Sequence, residues 1–213
     1  MKTEDLVALL STRVEPVDAA HGRRRFLLAA GVGSAIAVAL VLRGLKLNPG
    51  LGQAILVPMF WVREAFCAAL AGAGMMGLAR LARPGRRLGI VPAAVVIPVV
   101  AMWLLAMAVL TAASPPDRLA LIVGRTARVC PFLIALLAVP SFIAFIWLLR
   151  GLAPTRLRLA GAAAGFAAGS IGALAYSLHC PEFAAPFIAA WYLLGMAIPT
   201  VIGAWLGPRL LRW

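Results

Sequence analysis

Six stretches of mostly apolar residues, each about as long as a bilayer is thick, set the limits on what this chain can fold into. They run over Phe26–Leu42, Val62–Leu81, Ile90–Leu110, Pro131–Leu149, Leu159–Leu178 and Phe187–Leu206. A helix crossing the hydrocarbon core needs roughly 20 such residues, and a spanning segment must satisfy its own backbone, which a helix does. With 63% of the 213 residues hydrophobic and only 13% charged, a soluble globular fold is excluded. Six spans leave too little chain for a folded extramembrane domain. The sequence therefore predicts an all-α polytopic membrane protein of six transmembrane helices.

The breaks between spans carry the charge. Arg23–Arg25 precede the first span, and this triplet is read as the flank of a retained helix rather than of a cleaved leader. Arg80, Arg83, Arg86 and Arg87 follow the second span, Arg150, Arg156 and Arg158 the fourth, and Arg209 and Arg212 the sixth. With the N-terminus inside, 14 Lys and Arg lie on the inner side and six on the outer. That asymmetry predicts that both termini are cytoplasmic. The net charge of +13 is read as this topological bias and not as a nucleic-acid surface, since no loop is long enough to form a groove-reading element.

Some segments are less regular. Residues 51–61 are read as lying at the membrane interface, with the second span starting near Val62 and Arg63 snorkelling from its end beside Glu64 as an anchor; the alternative is one long tilted helix that carries both charges inside. Residues 117–129 are amphipathic and predict a surface helix after the Ser114-Pro115-Pro116-Asp117 break. Near the N-terminus, Thr3, Glu4 and Asp5 mark a helix start, and Pro16 ends that helix after about three turns. Leu6, Leu9 and Leu10 give it an apolar side. So short a helix is marginal in water unless it packs against a partner.

Gly72, Gly74 and Gly77 spell G-x-G-x-x-G inside a span, where the dinucleotide fingerprint has no strand to follow; they are read as packing glycines. Gly161, Gly165 and Gly169 recur every fourth residue, as do Gly203 and Gly207. Internal helix packing is the first use of such a stripe, and a homodimer seam is the alternative. Cys130-Pro131 opens the fourth span, and His179-Cys180-Pro181-Glu182 follows the fifth. Both cysteines are expected at the outer surface, at the ends of adjacent antiparallel helices. A disulfide is feasible there if the Cα atoms approach within about 7 Å. Cys130 and Cys180 with His179 would also supply soft ligands to a thiophilic metal, with Glu182 nearby. Two helix-end thiols with no chemistry remain the plain alternative, and Cys67 reads as a small buried hydrophobe. No nucleophile, base and orienting group are placed together, and no cofactor is implied beyond a thiophilic metal ion acting as a signal.

MKTEDLVALL at the start, RVCPF at the fourth span, LHCPE with FIAAWYLLGMAIPT, and GPRLLRW at the end resemble the NrsF-type anti-sigma factors from one terminus to the other. The resemblance implies a regulator of the bacterial inner membrane, not an enzyme. It further implies that residues 1–25 dock an extracytoplasmic-function sigma factor and that residues 26–213 form the membrane domain. A signal sensed through a cysteine pair, here matching Cys130 and Cys180, would release the sigma factor. Leu6, Leu9 and Leu10 are then the expected partner-binding residues. Arg63, Glu64 and Cys67 are not part of the pattern. The rival readings are a membrane thiol-disulfide protein, which lacks a C-x-x-C-like pair, and a solute or metal transporter, which lacks midplane polar groups.

Overall fold

The computed structural model describes residues 3–4 and 19–212. The expected docking leucines Leu6, Leu9 and Leu10 lie outside the described residues. Six helices are long and apolar enough to cross a membrane, and no strand occurs among the described residues. They are α1 (Ala19–Leu40, prolonged by a π-helical turn Val41–Leu45), α2 (Pro58–Leu81), α3 (Val91–Ala112), α5 (Cys130–Arg150), α6 (Leu157–Ser177) and α7 (Ala185–Leu210). A short helix, α4 (Pro115–Val123), joins α3 to α5.

Prolines rather than side-chain caps start five of these seven helices. α2, α3, α4, α5 and α7 each carry a proline in the first turn, where the missing N–H would have had no intrahelical partner. Pro58 sets the start of α2 four residues ahead of the expected break at Val62, so Trp61, Arg63 and Glu64 all lie within the helix. The Trp61 indole N–H then donates back to the Ile55 carbonyl at 2.9 Å. α1 begins at Ala19, ahead of the Phe26 boundary expected from the arginine triplet.

α6 is the centre of the bundle. Its apolar stretch is 72% buried, against 11% for α3, and it packs on α1, α2, α5 and α7. Small residues make this possible. A Cβ on Gly169 would sit 2.9 Å from the Met196 Cα, and one on Gly172 would sit 2.9 Å from the Ala138 nitrogen. Gly161 and Gly165 lie closer still to the backbones of Gly203 and Pro199. The fourth-residue glycines are therefore consumed by α6 and α7 of the same chain, so this stripe is not a homodimer seam. In α2, Gly74 meets Ala167 and Gly77 meets Val91, whereas Gly72 faces nothing.

α4 has no buried residue, in keeping with the expected surface element. It stops at Gly124, whose φ of +54° turns the chain toward α5.

Candidate functional site: a buried thiol cluster beneath a cap of loops

The start of α5 and the end of α6 lie side by side, as antiparallel neighbours require. Cys130 is the first residue of α5, and its N–H donates to the Thr126 carbonyl at 2.9 Å. Cys180 follows the last turn of α6, its N–H donating to the Tyr176 carbonyl at 3.0 Å. The Thr126 hydroxyl lies 4.0 Å from the Cys180 sulfur. Both cysteines are free and fully buried. This corrects the expectation of thiols at the outer surface: they share the level of the helix ends, but the adjoining loops close over them.

Cys67, one turn beyond Arg63 on α2, is buried in the same apolar cluster. That cluster also holds Tyr176 and Tyr192, the only tyrosines of the chain. Their rings lie 5.9 Å apart. Tyr192 ends a π-helical turn (Ile188–Tyr192) inside α7, and its buried hydroxyl finds no hydrogen-bond partner among the described residues. π-turns of this kind recur at functional sites. All three cysteines and both tyrosines thus converge from α2, α5, α6, α7 and the α6–α7 connection.

Arg63 binds this region together. It does not snorkel: its side chain is fully buried. One terminal nitrogen donates to the carbonyls of Cys180 (3.1 Å) and Glu182 (3.0 Å), and the other to the carbonyl of Ser177 (2.8 Å). The Nε–H faces a Glu64 carboxylate oxygen at 3.4 Å. The second Glu64 oxygen accepts from the Ser177 hydroxyl at 2.9 Å. Phe183 and Phe60 lie over the guanidinium at 4.7 and 5.4 Å. The last carbonyls of a helix have no intrahelical partner and carry the negative end of its dipole. An arginine from α2 satisfies one of them, that of Ser177 at the end of α6, together with the loop carbonyls of Cys180 and Glu182, and this replaces the anchoring role expected for it.

Two further segments complete the cap. The Glu182 carboxylate accepts from the Arg125 N–H at 2.7 Å, which fastens the α4–α5 turn. His179 donates through Nδ1–H to the Lys46 carbonyl at 2.8 Å, and the Asn48 N–H donates to the Leu178 carbonyl at 3.1 Å, which fastens the α1–α2 connection. His179 and Glu182 therefore act as ties between loops. Among the described residues, no three His, Cys, Asp or Glu side chains gather in a metal-holding set. The expected ligand trio Cys130, Cys180 and His179 is not assembled as one.

Sequence reasoning placed Cys130, Cys180, His179 and Glu182 at one end of the bundle and read Cys67 as a small buried hydrophobe, which it is; it missed the contacts of Arg63 and Glu64 and the place of Tyr192. One signal was available. Arg63 and Cys67 stand at i, i+4 and so share a helix face, and an ionisable residue within a span is a functional candidate by default.

The family described as negative regulator of sigma F matches residues 10–213. The chain belongs to this family. The probable anti-sigma-F factor NrsF of Azospira oryzae is 47% identical over the full length of both chains. The anti-sigma-F factor NrsF of Caulobacter vibrioides is 41% identical, again over the full length of both. No solved structure matches. Membership makes the chain a regulatory protein and not an enzyme.

Proposed function

We propose that the chain is a membrane-bound anti-sigma factor that holds an extracytoplasmic-function sigma factor at the bacterial inner membrane. It releases that factor when the chemical state of Cys130 and Cys180 changes. The observation that carries the first part is the full-length, 47% identity to a relative named as a probable anti-sigma-F factor. The second part is supported by the convergence of both buried thiols under one cap.

On this reading the termini face the cytoplasm, as the basic-residue count favours. Leu6, Leu9 and Leu10 lie in a groove of the sigma factor and cover surface that it needs for core polymerase. The thiols are then on the far side of the bilayer, in the compartment where thiol oxidation and disulfides persist. Because both are buried, a reagent reaches them only when the cap opens locally.

The test is capture of a purified sigma-F factor of the same bacterium by the full chain in membranes. Leu6→Asp with Leu10→Asp would bury two unpartnered carboxylates in the docking groove. Capture should fall by at least about 100-fold, the factor for roughly 2.7 kcal/mol. Capture unchanged by that pair of substitutions contradicts the docking segment, and no capture by the unsubstituted chain contradicts the function.

A further inference from the structure

We infer that Arg63 is the positioning residue through which the state of the thiol pocket reaches the helix bundle: its grip on the Cys180 segment keeps the thiols closed, and loss of that grip is the transmitted event. The inference rests on the thiol-sensing reading given above.

Among the described residues, the side-chain hydrogen bonds from α2 to the segment 177–182 are those of Arg63 and its neighbour Glu64. Arg63 holds the carbonyl of Cys180 itself, so the backbone that carries the sulfur is bonded directly to α2. A guanidinium offers five N–H donors in a fixed fork. Here three point at Ser177, Cys180 and Glu182, and the Nε–H faces Glu64. A group added at the Cys180 sulfur has no free space, because the residue is fully buried. The backbone must move, and it either drags Arg63 or parts from it.

Parting is a discrete event. The guanidinium is buried against Phe60 and Phe183, and a buried cation stripped of its partners is strongly unfavourable unless water enters. The pocket therefore has a held state and an open state with little between, which is what a switch requires. α2 is suited to carry the change onward. Its 24 residues run about 36 Å, from the cap to Leu81 at the opposite end of the bundle. Along the way it packs against the central helix α6.

The experiment measures two quantities on the full chain in membranes: the rate at which a membrane-permeant maleimide alkylates each cysteine, and the amount of sigma-F factor retained. Arg63→Gln should alkylate Cys130 and Cys180 about tenfold faster than the unsubstituted chain, because the cap opens more often. Arg63→Lys, which keeps the charge but not the fork, should fall between the two and serves if the glutamine variant does not insert. Arg80→Gln breaks a comparable arginine–carbonyl contact, that of Arg80 with Leu88 at 2.9 Å, at the other end of α2. It should leave the thiol rates unchanged.

Retention should fall with Arg63→Gln, and equally so when Cys130 and Cys180 are both serine, because Arg63 acts after the thiols. Unchanged alkylation in both Arg63 variants overturns the grip. An equal rise with Arg80→Gln overturns its specificity. Faster alkylation without loss of sigma factor leaves the grip in place but overturns the transmission, whereas the sensing reading fails separately, if the unsubstituted chain keeps its sigma factor once both thiols are alkylated.

Discussion

At the scale of single residues, Gly124 and Arg63 show how little of the cap is free to vary. Gly124 has φ +54°, and a Cβ there would stand 2.8 Å from the Phe187 ring and 2.9 Å from the Glu182 carboxyl. Neither neighbour can yield easily: Phe187 is fully buried, and Glu182 is tied to the Arg125 N–H. Gly124→Ala should therefore cost about 1–3 kcal/mol through overpacking and an unfavourable backbone region. A thermal-unfolding scan in detergent checks this, with a lower midpoint expected; an unchanged midpoint would mean that the turn re-forms without strain. Arg63 was legible as a charge in a span but not as a hub. Its partners are carbonyls of Ser177, Cys180 and Glu182, more than 110 positions away in sequence. Any residue type presents a carbonyl, so no pattern in the sequence marks them. The cysteines were legible because Cys-Pro occurs twice at span ends, yet their burial was not, since it depends on three loops that fold over them.

At the scale of elements, span positions were readable and their partners were not. A run of about 20 apolar residues announces a helix by itself, and a first-turn proline marks the start of α2, α3, α4, α5 and α7, although Pro98, Pro140, Pro199 and Pro208 lie inside helices. The glycines of α6 announced a close neighbour without naming it. That neighbour is α7, which meets α6 through Gly203, Gly207 and Pro199. A Cβ on Gly165 would overlap the Pro199 carbonyl, and Pro199 is fixed inside α7. Gly165→Val should force α6 and α7 apart. We expect loss of folded, inserted protein or a drop of several degrees in thermal midpoint. Gly72→Val, also inside a span but facing nothing within 4 Å, should leave that midpoint where it is. A midpoint equally low in both variants would show that helix propensity, rather than the α6–α7 contact, decides the outcome.

At the scale of the whole molecule, the bundle has two unlike ends. One carries the thiol cluster beneath three connections tied together by Arg63, Glu182 and His179. The other carries most of the arginines, among them Arg25 over the Trp147 ring at 5.8 Å and Arg150 bonded to the Leu210 carbonyl at 2.7 Å. The asymmetry was legible from charge counting alone. The arrangement of the helices around α6 was not, because hydropathy gives each helix a length but no neighbours. A regulator needs such separated ends only if a change at one biases the hold at the other. Sigma-factor retention on membranes before and after treatment with a permeant thiol reagent tests this most directly, with the full chain set beside Cys130→Ser with Cys180→Ser. The expected result is that the full chain loses its sigma factor and the double variant does not respond. An equal response from both would contradict it.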